Sequence, residues 1–394
     1  MIVIPRIYFY RWLVLLVICQ SCLCLVGCNN VPDFPPNISF PSRSDRLVIQ
    51  LPLLSPPGPD VPGKMDDGIA RVDLLGGRTL DPTLVNIQLR QALETYLKNV
   101  FGTPAAPMMS NHSVALRLGL TQKELTIGSK LYRKHCVQCH NISGDARGPA
   151  GQYVIPFPRD FRQGQFKFIS AIQYGKPRRI DIIRTLTHGL SGTQMPSFSL
   201  LSNFDRDYLS RYVTYLSIRG QVEFDTLLAI GNGIIFDPTE VVSYADDRLR
   251  AILLDWENAE AKTSSVYDHQ QPDDGPPGSH QHFEAVKRGH ALFILPSDNS
   301  CISCHIDYGR NSKLKFDIWG TVARPANLLE PVLKGGNRPE DVYCRIRYGI
   351  APVGMPAHPH LSDRQIWDLV RFVLAVPYPA HLPEDVRSAV YHVP

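Results

Sequence analysis

The chain has 394 residues, 33 of them proline, and a formal net charge of +4 at pH 7. This length predicts two or three domains, and so many prolines predict long irregular segments. The small net charge argues against nucleic-acid binding, and no basic run or patch of interleaved aromatic residues adds to it. We therefore expect no nucleic-acid partner.

Residues 1–28 have the pattern of an export signal, in which positive residues precede an apolar stretch too short for a comfortable membrane span. The run Leu25–Cys28 resembles the lipobox of bacterial lipoproteins. The resemblance implies cleavage before Cys28 and lipidation of its thiol. Several acyl chains, each contributing about 0.8 kcal/mol per buried methylene, would then hold the chain on a membrane. We expect a location on the periplasmic side, at the inner or the outer membrane; an uncleaved N-terminal anchor is the alternative and gives the same topology.

Residues 29–78 are rich in proline, aspartate and glycine, which predicts an irregular tether with at most short extended pieces. Residues 79–120 begin with apolar residues at helical spacing. Asp81 can cap a helix there, and Gly102 can end it. We expect this helix to pack on the domain that follows, with a partner-binding role as the alternative.

The strongest motif is a Cys-x-x-Cys-His run that occurs at residues 136–140 and again at residues 301–305. This run is the attachment site of a c-type haem. Each thiol adds across one vinyl group, and the adjacent histidine becomes the proximal ligand of the iron. The final histidine and the double occurrence argue against a zinc or redox site. We predict two haem c groups, held by Cys136, Cys139, Cys301 and Cys304, with His140 and His305 on the irons.

We predict two domains around these runs, over residues 121–220 and 282–377. In the first domain Thr121 and Glu124 form a capping box. Further helices are expected near residues 180–188 and from residue 205 to residue 218.

The remaining parts of the chain are predicted to be less regular. Residues 221–281 form an interdomain insert, with a helix near residues 237–261 and then a flexible polar linker. His269, His280 and His282, in this linker and at its end, are candidates for metal binding, but we expect them to be solvated linker residues. Residues 378–394 are a C-terminal tail.

The second domain repeats the first at an offset of 160 residues beyond the haem runs, which means two domains of one fold. Met-Pro at residues 195–196 pairs with Met-Pro at residues 355–356. A thioether favours ferrous iron and raises the reduction potential, and the proline keeps the loop from becoming helical. We predict Met195 and Met355 as the sixth ligands.

Histidines are the competing sixth ligands. His188 pairs in the repeat with Tyr348, which cannot play the same role. His358 and His360 pair with apolar residues. Histidine ligation would therefore require a different sequence position in each domain, whereas methionine ligation uses the equivalent position in both. Cys344 has no cysteine counterpart, and we expect a buried thiol, with an intermolecular disulfide as the alternative.

Both domains resemble class I cytochrome c domains. In that family a helix with Gly-x-x-Leu-Tyr precedes Cys-x-x-Cys-His, and a late methionine precedes a C-terminal helix that crosses the first. The resemblance implies an all-α fold. It also implies that the carbonyl of Pro149 accepts a hydrogen bond from the proximal histidine, which sets the basicity of that ligand. The second domain has no such Gly-Pro loop; Trp319 and Arg324 are candidates there for contact with haem propionates.

We expect an electron carrier that has no catalytic residues and no small-molecule substrate. Its partners would be redox proteins such as an oxidase, a dehydrogenase or a quinol-oxidising complex. A subunit through which electrons enter a terminal oxidase or dehydrogenase complex is one alternative. A dihaem peroxidase is another, and it would need an open iron position with an acid–base group nearby. A haem-based gas sensor would need an output domain, and we find none in the sequence.

Overall fold

The computed structural model describes residues 33–50, 78–109, 112–170, 175–261, 270–296, 300–312 and 314–392. Within these ranges the chain is mostly helical with two short two-stranded sheets, which confirms the all-α prediction. The leader, Cys28 and most of the predicted tether lie outside the described residues. No helix in the described ranges is long and apolar enough to cross a membrane.

The first part of the chain builds one helical unit. Its elements are β1 (Leu47–Gln50), β2 (Arg78–Leu80), α1 (Ile87–Phe101), α2 (Ser113–Arg117), α3 (Gln122–His135), α4 (Val137–His140), α5 (Arg179–His188), α6 (Asn203–Gly231) and α7 (Pro238–Ala261). Strands β1 and β2 pair antiparallel.

The second unit follows the same plan with fewer helices. Its elements are α8 (His280–Ile294), α9 (Cys301–Cys304), β3 (Lys315–Phe316), β4 (Val322–Ala323), α10 (Pro339–Tyr348), α11 (Asp363–Ala375) and α12 (Glu384–Tyr391). The described residues form two hydrophobic cores, one in each unit.

Local capping determines where the helices begin. The predicted capping box of Thr121 and Glu124 is present at the start of α3. Asp81 caps a short 3-10 turn, whereas α1 is capped by Asn86. The Asn86 Oδ1 accepts a hydrogen bond from the Gln88 amide at 2.8 Å. The expected single helix is therefore two elements. Helix α1 packs on α6 and α7, which confirms its predicted position on the first domain.

The main packing in each unit is a crossing of its first and last haem-domain helices, α3 with α6 and α8 with α11. A glycine lies at each crossing. A Cβ atom on Gly128 would lie 2.5 Å from the Tyr208 carbonyl oxygen, and one on Gly289 would lie 2.1 Å from the Asp368 carbonyl oxygen. Only glycine permits this approach, so the Gly-x-x-Leu motif has a packing role.

We expect Gly128→Ala or Gly289→Ala to lower the free energy of unfolding of the haem-loaded protein by about 1–3 kcal/mol, because the added methyl group overpacks the crossing. Thermal unfolding followed by circular dichroism measures this change. Lys123→Ala, at an exposed position on α3, is the matched control and should change stability by less than about 0.5 kcal/mol. Equal stabilities of the glycine and lysine variants would contradict the packing role.

The region between the domains is more ordered than its composition predicts. Helix α6, expected to end at residue 218, continues to Gly231. Helix α7 packs on α6 and α1, and its Trp256 is buried, so this part of the predicted insert belongs to the first unit. At the end of the predicted linker, Asp274 is buried and its Oδ1 accepts a hydrogen bond from Arg364 at 2.5 Å.

Two other predictions of irregular structure need correction. His282 is buried on α8, and its Nε2 is 3.2 Å from the His381 carbonyl oxygen, so it is not a solvated linker residue. The predicted C-terminal tail contains α12, whose Val386 and Val390 join the second core.

Residues 33–50, which belong to the predicted tether, are anchored to the first unit by buried ion pairs. The Arg162 guanidinium donates to Asp45 at 2.8 and 2.9 Å and to Asp160 at 3.0 and 2.7 Å. Burial raises the pKa of Asp45, but the charges of Arg43 and Arg162 outweigh it and hold the pKa below its usual value. Residues 33–50 are thus part of the domain, held by these ion pairs and by Phe34 and Leu47, which are buried in the first core.

We expect Arg162→Met to lower the free energy of unfolding by about 3–5 kcal/mol at pH 7, because Asp160 loses its guanidinium partner and Asp45 keeps only Arg43. The folded-state pKa values of Asp45 and Asp160 are lowered. Their stabilisation is therefore complete above the ordinary carboxyl pKa of about 4 and decreases as the pH falls below it. Thermal unfolding between pH 3 and pH 7 should show a smaller loss on acidification in the variant than in the wild type, and parallel profiles would contradict this assignment.

Candidate haem centres

The first Cys-x-x-Cys-His run forms a single helical turn that directs its reactive groups to one side. Helix α3 ends at the buried Cys136, and α4 carries Cys139 and His140. The His140 ring is 8% exposed and stacks on Phe161, with ring centroids 4.5 Å apart. Its Nδ1 lies 3.0 Å from the Arg159 carbonyl oxygen.

This environment is compatible with the predicted role of His140 as an iron ligand. Burial is the main cause that lowers its pKa to about 4, so the imidazole is neutral at pH 7. Because a carbonyl only accepts, Nδ1 must carry the hydrogen and Nε2 keeps its lone pair. A neutral imidazole with a free Nε2 is what an iron ligand requires.

The second run repeats this geometry. His305 Nδ1 lies 3.0 Å from the Ala326 carbonyl oxygen, and burial lowers the pKa of this histidine too. Arg159 and Ala326 each follow a proline, and neither acceptor was predicted from the sequence. The supporting loops are therefore equivalent, contrary to the expectation that the second domain lacks one.

The prediction that Pro149 supports His140 is wrong, since the Arg159 carbonyl holds that ring. The Gly-Pro loop has another purpose. A Cβ atom on Gly148 would lie 2.4 Å from the carbonyl oxygens of Val137 and Gln138, so this loop packs directly on the haem-binding turn. Glycine is needed there for close approach.

The two methionine loops are also alike. The Leu190 amide donates to the Met195 carbonyl oxygen at 3.1 Å, and the Ile350 amide donates to the Met355 carbonyl oxygen at 3.0 Å. A glycine with positive φ precedes the first residue of each loop, at residues 189 and 349. Both methionine side chains are half-buried against the core of their own unit.

One cavity of about 1660 Å³ brings all the predicted haem residues together. It is lined by Cys136, Cys139, His140, Met195, Cys301, Cys304, His305 and Met355. Single small-molecule pockets measure about 300–1,000 Å³, so this cavity has room for more than one such group. The two centres are thus neighbours across the domain interface.

The competing histidines are placed differently. His188 is outside the cavity lining, and its Nε2 is 3.0 Å from an Arg338 nitrogen. His360 is not part of the lining either, whereas the buried His358 is. Only His358, among these candidates, remains a structural rival to Met355.

The cysteines fit haem attachment better than a zinc or redox site. None of the described cysteines forms a disulfide. Burial raises the pKa of Cys136 to about 12 and that of Cys301 to about 11, unlike the low-pKa thiolates of redox motifs. In the described ranges no group of three or more His, Cys, Asp or Glu side chains could hold a metal ion. The thiols, imidazoles and thioethers around the cavity therefore fit haem c.

Helices α5 and α10 meet at the interface between the two domains. Arg184 of α5 pairs with Asp341 of α10. The Arg184 side chain also lies beside Cys344, the residue at the equivalent position of the second domain. Cys344 is buried, with 4% of its surface exposed. Cys344 is thus a buried thiol, as expected, and it lies where α5 meets α10.

The comparison with protein families agrees with this geometry. The family model described as cytochrome c oxidase, cbb3-type, subunit III, matches residues 123–216 and 284–373. No curated protein matches the sequence significantly. A solved chain from a reducing HAO-like protein complex of Kuenenia stuttgartiensis matches with a TM-score of 0.43 and 21% sequence identity, over 64% of this chain and 95% of that one. Residues 123–216 and 284–373 are two tandem cytochrome c domains, a kind of domain that binds haem c covalently and transfers electrons.

Proposed function

We propose that the chain carries electrons between redox proteins through two haem c groups, one in each domain. The cavity shared by both Cys-x-x-Cys-His runs and both methionines is the observation that carries this proposal. The proposed ligand pairs are His140 with Met195 and His305 with Met355. Haem c, when bound, supplies a one-electron iron couple.

The residues of the chain then have distinct tasks. The Arg159 and Ala326 carbonyls orient the two imidazoles through Nδ1. The methionine loops present thioethers, which favour ferrous iron and so a higher potential. His140 is buried, whereas Cys304 is exposed, so the second centre would offer an edge that a redox partner can approach.

The proposed location is the periplasmic face of a membrane, with lipid attached to Cys28. Support comes from the leader pattern of residues 1–28 alone. Growth with labelled palmitate should label the wild-type chain but not Cys28→Ala, because the acylated thiol is lost. Ser110→Ala is the control and should keep the label. A labelled Cys28→Ala protein, or an unlabelled wild type, would contradict lipid anchoring.

The second candidate function is a subunit through which electrons enter a terminal oxidase. The description of the matching family model, a subunit of a cbb3-type oxidase, favours it. The chemistry of this chain is the same in both cases, and only the partner differs.

The haem content of the purified full chain tests the proposal. We expect a pyridine haemochrome assay to give two covalent haems for each chain, with no turnover of hydrogen peroxide. Co-purification with haem-b-containing subunits from solubilised membranes would select the oxidase-subunit role. One haem per chain, or peroxide turnover, would overturn the proposal.

A further inference from the structure

One group of side chains in the shared cavity comes from both domains. The Arg159 guanidinium of the first domain lies over the Trp319 indole of the second, with its carbon 3.6 Å from the ring centroid. Lys167 Nζ lies 5.8 Å from the same centroid and donates to Asp317 Oδ2 at 3.3 Å. Arg159, Lys167 and Trp319 line the cavity. We call these four residues the bridge cluster.

The bridge cluster has more positive than negative charge. Asp317 is 1% exposed, and its Oδ1 accepts hydrogen bonds from the amides of Trp319 at 3.2 Å and Thr321 at 3.0 Å. Its carboxylate therefore holds the β3–β4 hairpin as well as Lys167. The Asp160 carboxylate next to Arg159 accepts from Arg162. Two cations thus face one carboxylate in the cluster.

The cluster also contains an unpaired donor. The indole N–H of Trp319 is buried and has no hydrogen-bond partner among the described residues. Such a group is costly unless a ligand satisfies it. The indoles of Trp256 and Trp367 are also unpaired, but these rings lie outside the cavity lining. Of these three tryptophans, only Trp319 belongs to the cavity lining.

An excess cation at a cavity wall favours an anionic ligand, and an anionic oxygen would also satisfy the unpaired N–H donor. Haem carries propionate carboxylates, and each loop that supports a proximal histidine contributes to the cluster. Arg159 is itself the residue whose carbonyl holds His140. Trp319 precedes Ala326, the corresponding residue for His305, in the same loop.

We propose that the bridge cluster binds propionate groups of both haems at the domain interface and thereby raises both reduction potentials. This inference rests on the proposed two-haem function. A buried cation near a haem favours ferrous iron, because reduction removes one positive charge from the iron. A cluster shared by two haems must affect both potentials, whereas a residue that belongs to one domain would affect mainly one.

Spectroelectrochemical titration of the haem-loaded full chain measures both midpoint potentials and so tests this shared effect. Arg159→Gln should lower both midpoint potentials, each by a tenfold change in the equilibrium constant or more, which is 59 mV for a one-electron couple. Arg159→Lys should restore most of the loss because it keeps the charge. Trp319→Phe keeps the ring, removes the donor and should lower the potentials in the same direction. Resonance Raman spectra of the propionate bending modes should change in Arg159→Gln and Trp319→Phe.

Arg387→Gln is the matched control, since it removes an equal charge at an exposed position outside the cavity lining. It should leave both potentials unchanged. The inference is overturned if Arg159→Gln shifts only one potential, or shifts neither more than Arg387→Gln does. Failure of the proposed function is a separate result, because the wild-type chain would then lack two covalent haems before any variant is compared.

Discussion

Met355→Ala is expected to open the sixth position of the second iron. The reduced variant should bind carbon monoxide, and the potential of that haem should fall by on the order of 0.1 V, a fraction of the roughly 0.8 V that axial ligands span. The physical reason is loss of the soft thioether that favours ferrous iron. Optical spectra and redox titration of the haem-loaded protein measure both effects.

Two further variants make this result decisive. Met195→Ala should produce the same changes at the first haem and leave the second unchanged. His358→Ala tests the structural rival, because this buried histidine lines the same cavity. Carbon monoxide binding in His358→Ala, together with an unchanged spectrum in Met355→Ala, would move the sixth ligand to the histidine.

The double variant Cys301→Ser with Cys304→Ser should contain half as much covalent haem as the wild type. Hydroxyl groups do not form the thioether links, while the first domain keeps its own thiols. The second domain should also lose stability, because its cavity wall loses the group that fills it. The pyridine haemochrome assay and thermal unfolding report the two consequences.

Cys344→Ser is the control for that double variant. Cys344 is also a buried free thiol, but it lies on α10 where that helix meets α5, and it is not part of the cavity lining. This control should keep both haems. Retention of the full haem content in the double serine variant would show that the second run is not an attachment site.

Local sequence patterns predicted the parts of the fold that depend on neighbours along the chain. The capping box at Thr121, the approach of α3 to the first haem run and the paired methionine loops are of this kind. The repeat at an offset of 160 residues also predicted that both domains would present the same set of groups. Hydrogen bonds within one turn or one loop determine these features, so short motifs are sufficient to indicate them.

Features that depend on distant contacts were predicted poorly. The carbonyl that supports His140 belongs to Arg159, and a backbone acceptor leaves no trace in residue type. The extension of α6 to Gly231 is stabilised by packing against α7. The predicted domain boundary at residue 220 did not take this packing into account. The stacking of Arg159 on Trp319 joins two domains, so neither local sequence contains its partner. Composition also assigned residues 33–50 to a tether, because the buried ion pairs that anchor them cannot be recognised without the fold.

The central claim is that each of two haems is held between a histidine and a methionine, and one experiment tests it most directly. The haem-loaded wild-type chain is titrated optically from the oxidised to the reduced state and then exposed to carbon monoxide. The account predicts two low-spin haems in both states, the red absorption band of thioether-ligated ferric iron for each, and no carbon monoxide adduct. A carbon monoxide adduct on either reduced haem, or a ferric spectrum without that band, would contradict it.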